Sequence, residues 1–378
     1  DVEVVAGQDI AGGQFVVSRG NGSLTAGRSV ARGAGVPVSD HIYTNGQVLP
    51  SAPFLGVMDG LWSVKADRNL EISQVFNPTL LYNATSPNGT PVRLMTQQLG
   101  YYLTYAADAG VSMFSTRGNV SFVPNSQSLR LIPRVLSGVK GSLSVTLGEA
   151  SNLQSLAAVL PSVFRMVSLG GDALVSSAGV EFKLSSDGQV LVARTNPTRL
   201  YVTPSDRADW RVYAAGDIKL EGSLQLLDQD QASALMGATT TSPASTAGLL
   251  TILSSLSNTG KRANTAYGSL VSGEDSSLQT DPMEQVAQAG HGNLAQWVAG
   301  RDVQFAVVNN EYATLRSNRP ADIVAGRDIV NPSFLGQNFT EDDVTRLSAG
   351  RDILGSNSST GAIVIAGPGQ LRVEAGRD

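Results

Sequence analysis

Residues 319–353 read RPADIVAGRDIVNPSFLGQNFTEDDVTRLSAGRDI and carry one seven-residue unit twice, IVAGRDI at 323–329 and LSAGRDI at 347–353. The unit runs apolar, any, Ala, Gly, Arg, Asp, apolar. Positions one and three alternate as in a strand with one buried face. A polar break follows, and position seven restarts an apolar pattern. This is a strand that turns a corner into another strand. Alanine is the small inward residue beside the bend. Glycine is expected to supply positive φ there. Asp is expected to bond its own nearby backbone and close the turn.

Further copies lie on both sides. VVAGQDI (4–10), LTAGRSV (24–30) and WVAGRDV (297–303) are clear, and VEAGRD (373–378) is truncated. VKADRNL (64–70), FSTRGNV (114–120), VSLGGDA (167–173) and VYAAGDI (212–218) align without gaps as degenerate copies. The sixth position is then Asp9, Ser29, Asn69, Asn119, Asp172, Asp217, Asp302, Asp328, Asp352 and Asp378, at spacings of 20, 40, 50, 53, 45, 85, 26, 24 and 26. These approximate multiples of roughly 20–26 residues, a solenoid period. Intervals of 40 to 53 read as two coils with one copy eroded, and only 85 demands an insertion. The expected fold is all-β, a solenoid of parallel strands with Ile10, Val30, Ile218, Val303, Ile329 and Ile353 in one inward column. Gly7, Asp9, Gly27, Asp217, Gly300, Asp302, Gly326, Asp328, Gly350 and Asp352 read as repeated corner scaffold, with the arginines solvated and loosely paired along the stack. A calcium-binding nonapeptide roll would need Asp every nine residues, which this period does not supply. Arg-Gly-Asp never occurs.

Composition agrees with an aliphatic solenoid. The 378 residues hold 40 glycines, 16% charged and 6% aromatic residues, and no cysteine, which excludes disulfides and thiolate metal sites. A net charge of −5 offers no footprint for nucleic acid. No run of 18 apolar residues suggests membrane insertion. The chain opens and closes inside repeat units and shows no signal peptide, so it reads as an interior piece of a longer protein.

The organisation expected is β-helix coils over 1–227 with loop excursions at 38–60 and 148–165, an excursion over 228–293, and coils again over 294–378. Short helices are expected in the excursions. Asp281, Pro282 and Glu284 form helix-start chemistry, Leu249, Ile252, Leu253 and Leu256 have helical spacing, and Ser151 with Gln154 forms a capping box before Leu153, Leu156 and Leu160. Irregular loops on a rigid scaffold carry specificity. The candidate partner-binding residues are therefore His41, Tyr43, Lys261, Arg262 and Tyr267. Tyr101, Tyr102 and Tyr105 read as strand positions facing a core.

No catalytic motif is found, and the two histidines, His41 and His291, stand in loop-like contexts. Glu341, Asp342 and Asp343 form the densest acid cluster and read as a solvated turn. No metal ligand set and no cofactor is implied.

AGRDI at coil spacing, together with WSVKADRNLEISQVFNPTLL (62–81), the 319–353 stretch and IVIAGPGQLRVEAGRD (363–378), resembles the filamentous haemagglutinin family. The likeness is strongest over 1–125 and 294–378. It implies a right-handed parallel β-helix and export through an outer-membrane two-partner secretion transporter. It also implies work as a secreted or cell-surface bacterial exoprotein. Relatives act as adhesins, as biofilm components or as stalks of contact-dependent toxins. The partners implied are a host or bacterial surface receptor or a matrix polysaccharide, with end-to-end or lateral self-association. The family's NPNGI-type secretion motif is absent, so the piece reads as interior shaft. The reading from a different class is a β-helix carbohydrate-active enzyme, which would need a groove lined by close carboxylates.

Overall fold

The computed structural model describes residues 1–33, 36–37, 48–49, 52–78, 105–124, 159–184, 190–197, 199–202, 205, 207–226, 294–308, 311–317, 319–338, 340–355 and 363–377. The chain winds through three parallel sheets in turn, so each circuit is one coil of a parallel β-helix. The first sheet has ten strands, one per coil: Val2–Ala6, Gly22–Ala26, Leu61–Ala66, Gly110–Ser115, Val163–Ser168, Asp209–Ala214, Ala295–Ala299, Ala321–Ala325, Val344–Ala349 and Gln370–Ala375. We number the coils 1 to 10 in this order.

The second sheet stacks Ile10–Ala11, Val30–Ala31, Leu70–Ile72, Val120–Phe122, Ala173–Ser176, Ile218–Glu221, Val303–Val308, Ile329–Val330 and Ile353–Leu354. The third is in two pieces. Gln14–Arg19, Phe54–Asp59 and Gln74–Phe76 serve coils 1 to 3. Val159–Leu160, Arg199–Val202, Ser223–Leu226, Thr314–Ser317, Phe334–Gln337 and Ile363–Ala366 serve coils 4 to 9.

The position-seven residues form the single column that the repeat demands. Ile10, Val30, Leu70, Val120, Ala173, Ile218, Val303, Ile329 and Ile353 are successive register partners. All but Ile353 are buried, and Ile353 packs against the same core. The first sheet adds inward columns that hold the largest side chains, among them Trp62, Trp210 and Trp297. The Phe164 ring stacks on Trp210 with centroids 4.4 Å apart. A Cβ on Gly22 would lie 2.2 Å from the Trp62 ring of the next coil, so glycine makes room for tryptophan there.

Register corrects the count of coils. Val30 pairs with Leu70, Leu70 with Val120, Val120 with Ala173, and Ala173 with Ile218. Each interval of 40 to 53 residues is therefore one coil that carries an excursion, not two coils with a lost copy. The interval of 85 is also one coil, because Ile218 pairs with Val303. Two degenerate units also contain an extra residue. Ser115 and Ser168, not Thr116 and Leu169, are in register with Ala66 and Ala214. Those corners span four residues where the others span three.

Excursion boundaries shift as well. Phe54–Asp59 is a strand of the third sheet with Leu55 and Val57 fully buried, so it does not belong to a 38–60 loop. Leu160 and Val163–Ser168 are strand, so the 148–165 excursion ends earlier and Leu160 is no part of a helix. The remaining helix expectations, at 151–158, 249–256 and 281–290, lie outside the described residues, as do Tyr101 and Tyr102. Glu341 and Asp342 form a turn, and Asp343 Oδ2 accepts the Thr340 amide at 3.0 Å.

Candidate functional site

The corner that carries Gly-Arg-Asp or one of its degenerate forms joins the first sheet to the second in coils 1 to 9. Asp here does not close its own turn, as expected from Asx-turn chemistry. Its carboxylate accepts the backbone N–H of the same position one coil on. Asp302 N donates to Asp217 Oδ1 at 3.0 Å, Asp328 N to Asp302 Oδ1 at 3.2 Å, and Asp352 N to Asp328 Oδ1 at 3.2 Å. Asn does the same: Asn119 N donates to Asn69 Oδ1 at 3.0 Å and Asp172 N to Asn119 Oδ1 at 2.9 Å. Backbone bonds fill the rest of the corner, such as Arg327 N to Arg301 O at 2.9 Å and Ile329 N to Asp352 O at 3.0 Å.

The arginines pair specifically, not loosely. Arg28, Arg117, Arg327, Arg351 and Arg377 each grip a carboxylate one coil back with a two-pronged fork, the strong geometry for this pair. Arg327 Nε and Nη2 donate to the two oxygens of Asp302 at 3.0 and 2.8 Å. Arg28 holds Asp9, Arg351 holds Asp328 and Arg377 holds Asp352 in the same way. The forks keep the carboxyls of Asp9 and Asp328 below the usual carboxylate range, chiefly through the arginine hydrogen bonds. In coil 3 the acid moves to Asp67, and Arg117 of coil 4 follows it. Coil 6 carries Gly216 where arginine belongs. Arg301 of coil 7 covers the gap, reaching Asp217 at 3.1 Å and Asp172 at 2.8 Å. In these carboxylates the lone pairs that a cation would need are spent on guanidinium and amide donors.

Corner glycine serves close approach, not positive φ. None of Gly7, Gly27, Gly300, Gly326, Gly350 and Gly376 lies in the left-handed region. A Cβ on Gly326 would stand 2.2 Å from the Gly300 carbonyl oxygen, and one on Gly350 equally close to that of Gly326. Where the corner has four residues, a serine hydroxyl stitches it. Ser168 Oγ donates to Gly118 O at 2.7 Å and accepts the Gly171 amide at 3.0 Å.

This corner never opens. It spans three or four residues in each of coils 1 to 9, whereas the insertions of this chain leave from the other two corners. Between the second and third sheets, coil 2 carries the pair Val36–Pro37 with Val48–Leu49, and coil 5 the hairpin Ala178–Leu184 with Val190–Pro197. Coil 7 carries Glu311–Tyr312 against Val303–Val308 at the same corner, and coils 4 and 9 are also interrupted there. Between the third and first sheets, coils 3 and 6 are interrupted, coil 6 between Leu226 and Ala295. His41, Tyr43, Lys261, Arg262 and Tyr267 lie outside the described residues, within the coil 2 and coil 6 insertions.

A charged cluster with no sequence signature sits at the start of the first-sheet strands. Asp209 has a side chain only 2% exposed. Arg165 Nε donates to its Oδ2 at 2.7 Å, and Arg211 Nε lies 2.6 Å from its Oδ1. Buried Arg319 donates to Ala208 O at 3.2 Å and Ser205 O at 3.3 Å. It thereby links the coil 7 corner to the coil 5 corner between the third and first sheets. Burial lowers the Arg319 pKa to about 10, and the Asp209 charge opposes that shift.

Among the described residues no group of three or more His, Asp or Glu side chains could hold a metal ion. No family model, no curated protein and no solved structure matches the chain.

Proposed function

We propose that this chain is a shaft segment of a large secreted bacterial exoprotein of the filamentous haemagglutinin kind, working at the cell surface in attachment, aggregation or biofilm contacts. It acts by holding and presenting binding surfaces, not by catalysis. The placement of the insertions carries the reading. One corner stays closed at three or four residues in coils 1 to 9, held in most of them by side-chain acceptors for the next coil's amide and, where the sequence supplies both, by Arg-Asp forks, and chain is added only at the two corners flanking the third sheet. A closed edge lets coils stack without limit, because each new unit offers the carboxylate that the next arginine and amide require. Open edges let irregular segments project without touching the ladder. A rigid rod with variable loops along two edges suits adhesion. In the full-length protein, an outer-membrane two-partner secretion transporter would export the unfolded chain.

The test is retention of cells on surfaces coated with this chain, compared with a variant whose residues 228–293 are replaced by a short Gly/Ser link. A short link suffices, since coil 7 passes from Ser317 to Ala321 across the same corner and loop closure costs little. The β circular dichroism should persist while retention falls. Equal retention would remove the insertion as binder, and no retention on any bacterial, epithelial or polysaccharide surface would defeat the adhesive reading.

A further inference from the structure

The geometry points to the outer face of the first sheet over coils 4 to 7 as a binding strip for an acidic polysaccharide, its carboxylates held by Arg165 and Arg211. This rests on the adhesive reading above and names the ligand class for one face of the shaft.

Charge is the first support. Arg165 and Arg211 are register partners on adjacent strands, where like charges repel. Asp209 offsets this by accepting a hydrogen bond from Arg165 Nε and pairing its charge with Arg211, whose Nε lies 2.6 Å from Oδ1. Buried Arg319, bonded to the carbonyl of the neighbouring Ala208, adds a third positive charge whose field reaches the same acid. In a chain of net charge −5 this is a local cationic surplus.

Preorganisation is the second. The Arg165 and Arg211 side chains are 39% and 36% exposed; a hydrogen bond from Arg165 Nε to Asp209 fixes the first head, and the ion pair with Asp209 holds the second beside it. The two residues are register partners, so their backbones stand one strand spacing of about 4.8 Å apart, and both heads are partly exposed on the same face. A carboxylate entering there meets two planar donors already in place, the arrangement that favours arginine over lysine.

The neighbouring residues are the third. Ser112, Arg165, Arg211 and Gln296 form one outward row, and Phe114, Val167, Tyr213 and Val298 form the next row in register beside it. The second row is apolar and half-buried. The Tyr213 hydroxyl donates to Gln296 Oε1 at 2.7 Å, which ties the rows together. A pyranose ring has an apolar face and a polar rim, and the two rows offer a surface to each. A peptide would dock here poorly, because the backbone groups of these interior strands are already paired along the stack and leave no edge for strand addition.

Calorimetric titration of the whole chain with sodium polygalacturonate tests the strip, with neutral dextran and poly-glutamate as comparison polymers. Polygalacturonate should bind, dextran should not, and poly-glutamate should bind at least tenfold more weakly. R165Q/R211Q should lower polygalacturonate affinity at least tenfold. S112E leaves every Asp209 contact intact and sets a carboxylate beside Arg165, so it should lower affinity at least threefold even if the double variant folds badly. R327Q/R351Q removes as much charge from the corner and should change affinity less than twofold. The proposal is overturned by absence of polygalacturonate binding, by equal losses in the two double variants, or by equal binding of poly-glutamate. If R165Q/R211Q keeps full retention of cells and full polygalacturonate affinity, the strip is wrong while the adhesive reading stands.

Discussion

Replacing Asp302 separates the two jobs of the corner carboxylate. Asp302 accepts Arg327 Nε at 3.0 Å, Arg327 Nη2 at 2.8 Å and the Asp328 amide at 3.2 Å. In D302A the Arg327 head, 42% exposed, regains water, so its loss costs about 0–1 kcal/mol. The Asp328 amide cannot do so, because it lies inside the stack with Asp328 itself only 9% exposed. A buried donor left without acceptor costs about 1–3 kcal/mol. D302A should therefore destabilise by about 1–4 kcal/mol, most of it from the orphaned amide. D302N keeps an amide acceptor in place, as Asn69 and Asn119 do in coils 3 and 4. It should cost no more than about 1 kcal/mol. Urea unfolding followed by tryptophan emission measures both, since Trp297 is fully buried in the same coil. Amide exchange at residue 328 gives a local readout, faster in D302A than in D302N. Equal losses in the two variants, or unchanged exchange at 328, would refute the claim that the amide bond outweighs the ion pair.

Three further outcomes follow from the same geometry. Ile329 is fully buried in the position-seven column, so I329D leaves an unpaired charge in the core and should lower stability by more than about 3 kcal/mol in the same urea assay. G350A places a Cβ 2.2 Å from the Gly326 oxygen and should cost about 1–3 kcal/mol, whereas G355A, with open space around it, should stay within about 0.5 kcal/mol. Acid should weaken the ladder. Arginine hydrogen bonds lower the folded-state pKa of Asp9, Asp67 and Asp328, so below about pH 4 the unfolded chain binds more protons. The stabilisation is present above that pH and is lost as pH falls through the lowered values. The midpoint of thermal unfolding between pH 6 and pH 3 should drop less steeply in D9N/D67N/D328N than in the parent.

The first two sheets were legible because their junction repeats. Where each residue of the Gly-Arg-Asp corner contacts the coil before it, the unit is kept whole, as in coils 7 to 9, so IVAGRDI and LSAGRDI align on sight. The third sheet was not legible. QFVVSR, FLGVMD, SLQL and TLRS share no motif, since that sheet is bounded by corners of free length and no cross-coil ladder constrains its ends. The same freedom hid the coil count. An insertion of arbitrary length at an open corner mimics a lost repeat whenever its length nears the period, as between Val30 and Leu70. The roles of glycine and aspartate were misjudged because local turn chemistry suggested contacts within one coil. The actual contacts run between coils 20 to 85 residues apart, such as Ser29 N to Asp9 Oδ1 and Asp302 N to Asp217 Oδ1. Asp209 and Arg319 gave no signal, because they are 110 residues apart and come near each other only through the stacking that puts Arg319 on the Ala208 carbonyl.

The central claim is that each Gly-Arg-Asp unit is one coil, whatever the chain length between units. The chain has no native cysteine, so spin labels at T25C and S348C report one distance. Thr25 and Ser348 share an outward row through Lys65, Phe114, Val167, Tyr213, Val298 and Val324. Those are seven strand-to-strand steps, which at about 4.8 Å each place the labelled backbones about 34 Å apart. Pulsed dipolar spectroscopy should find a single peak near that value, broadened by the label tethers. A peak near 65 Å, which one coil for every roughly 24 residues would give, would contradict the account.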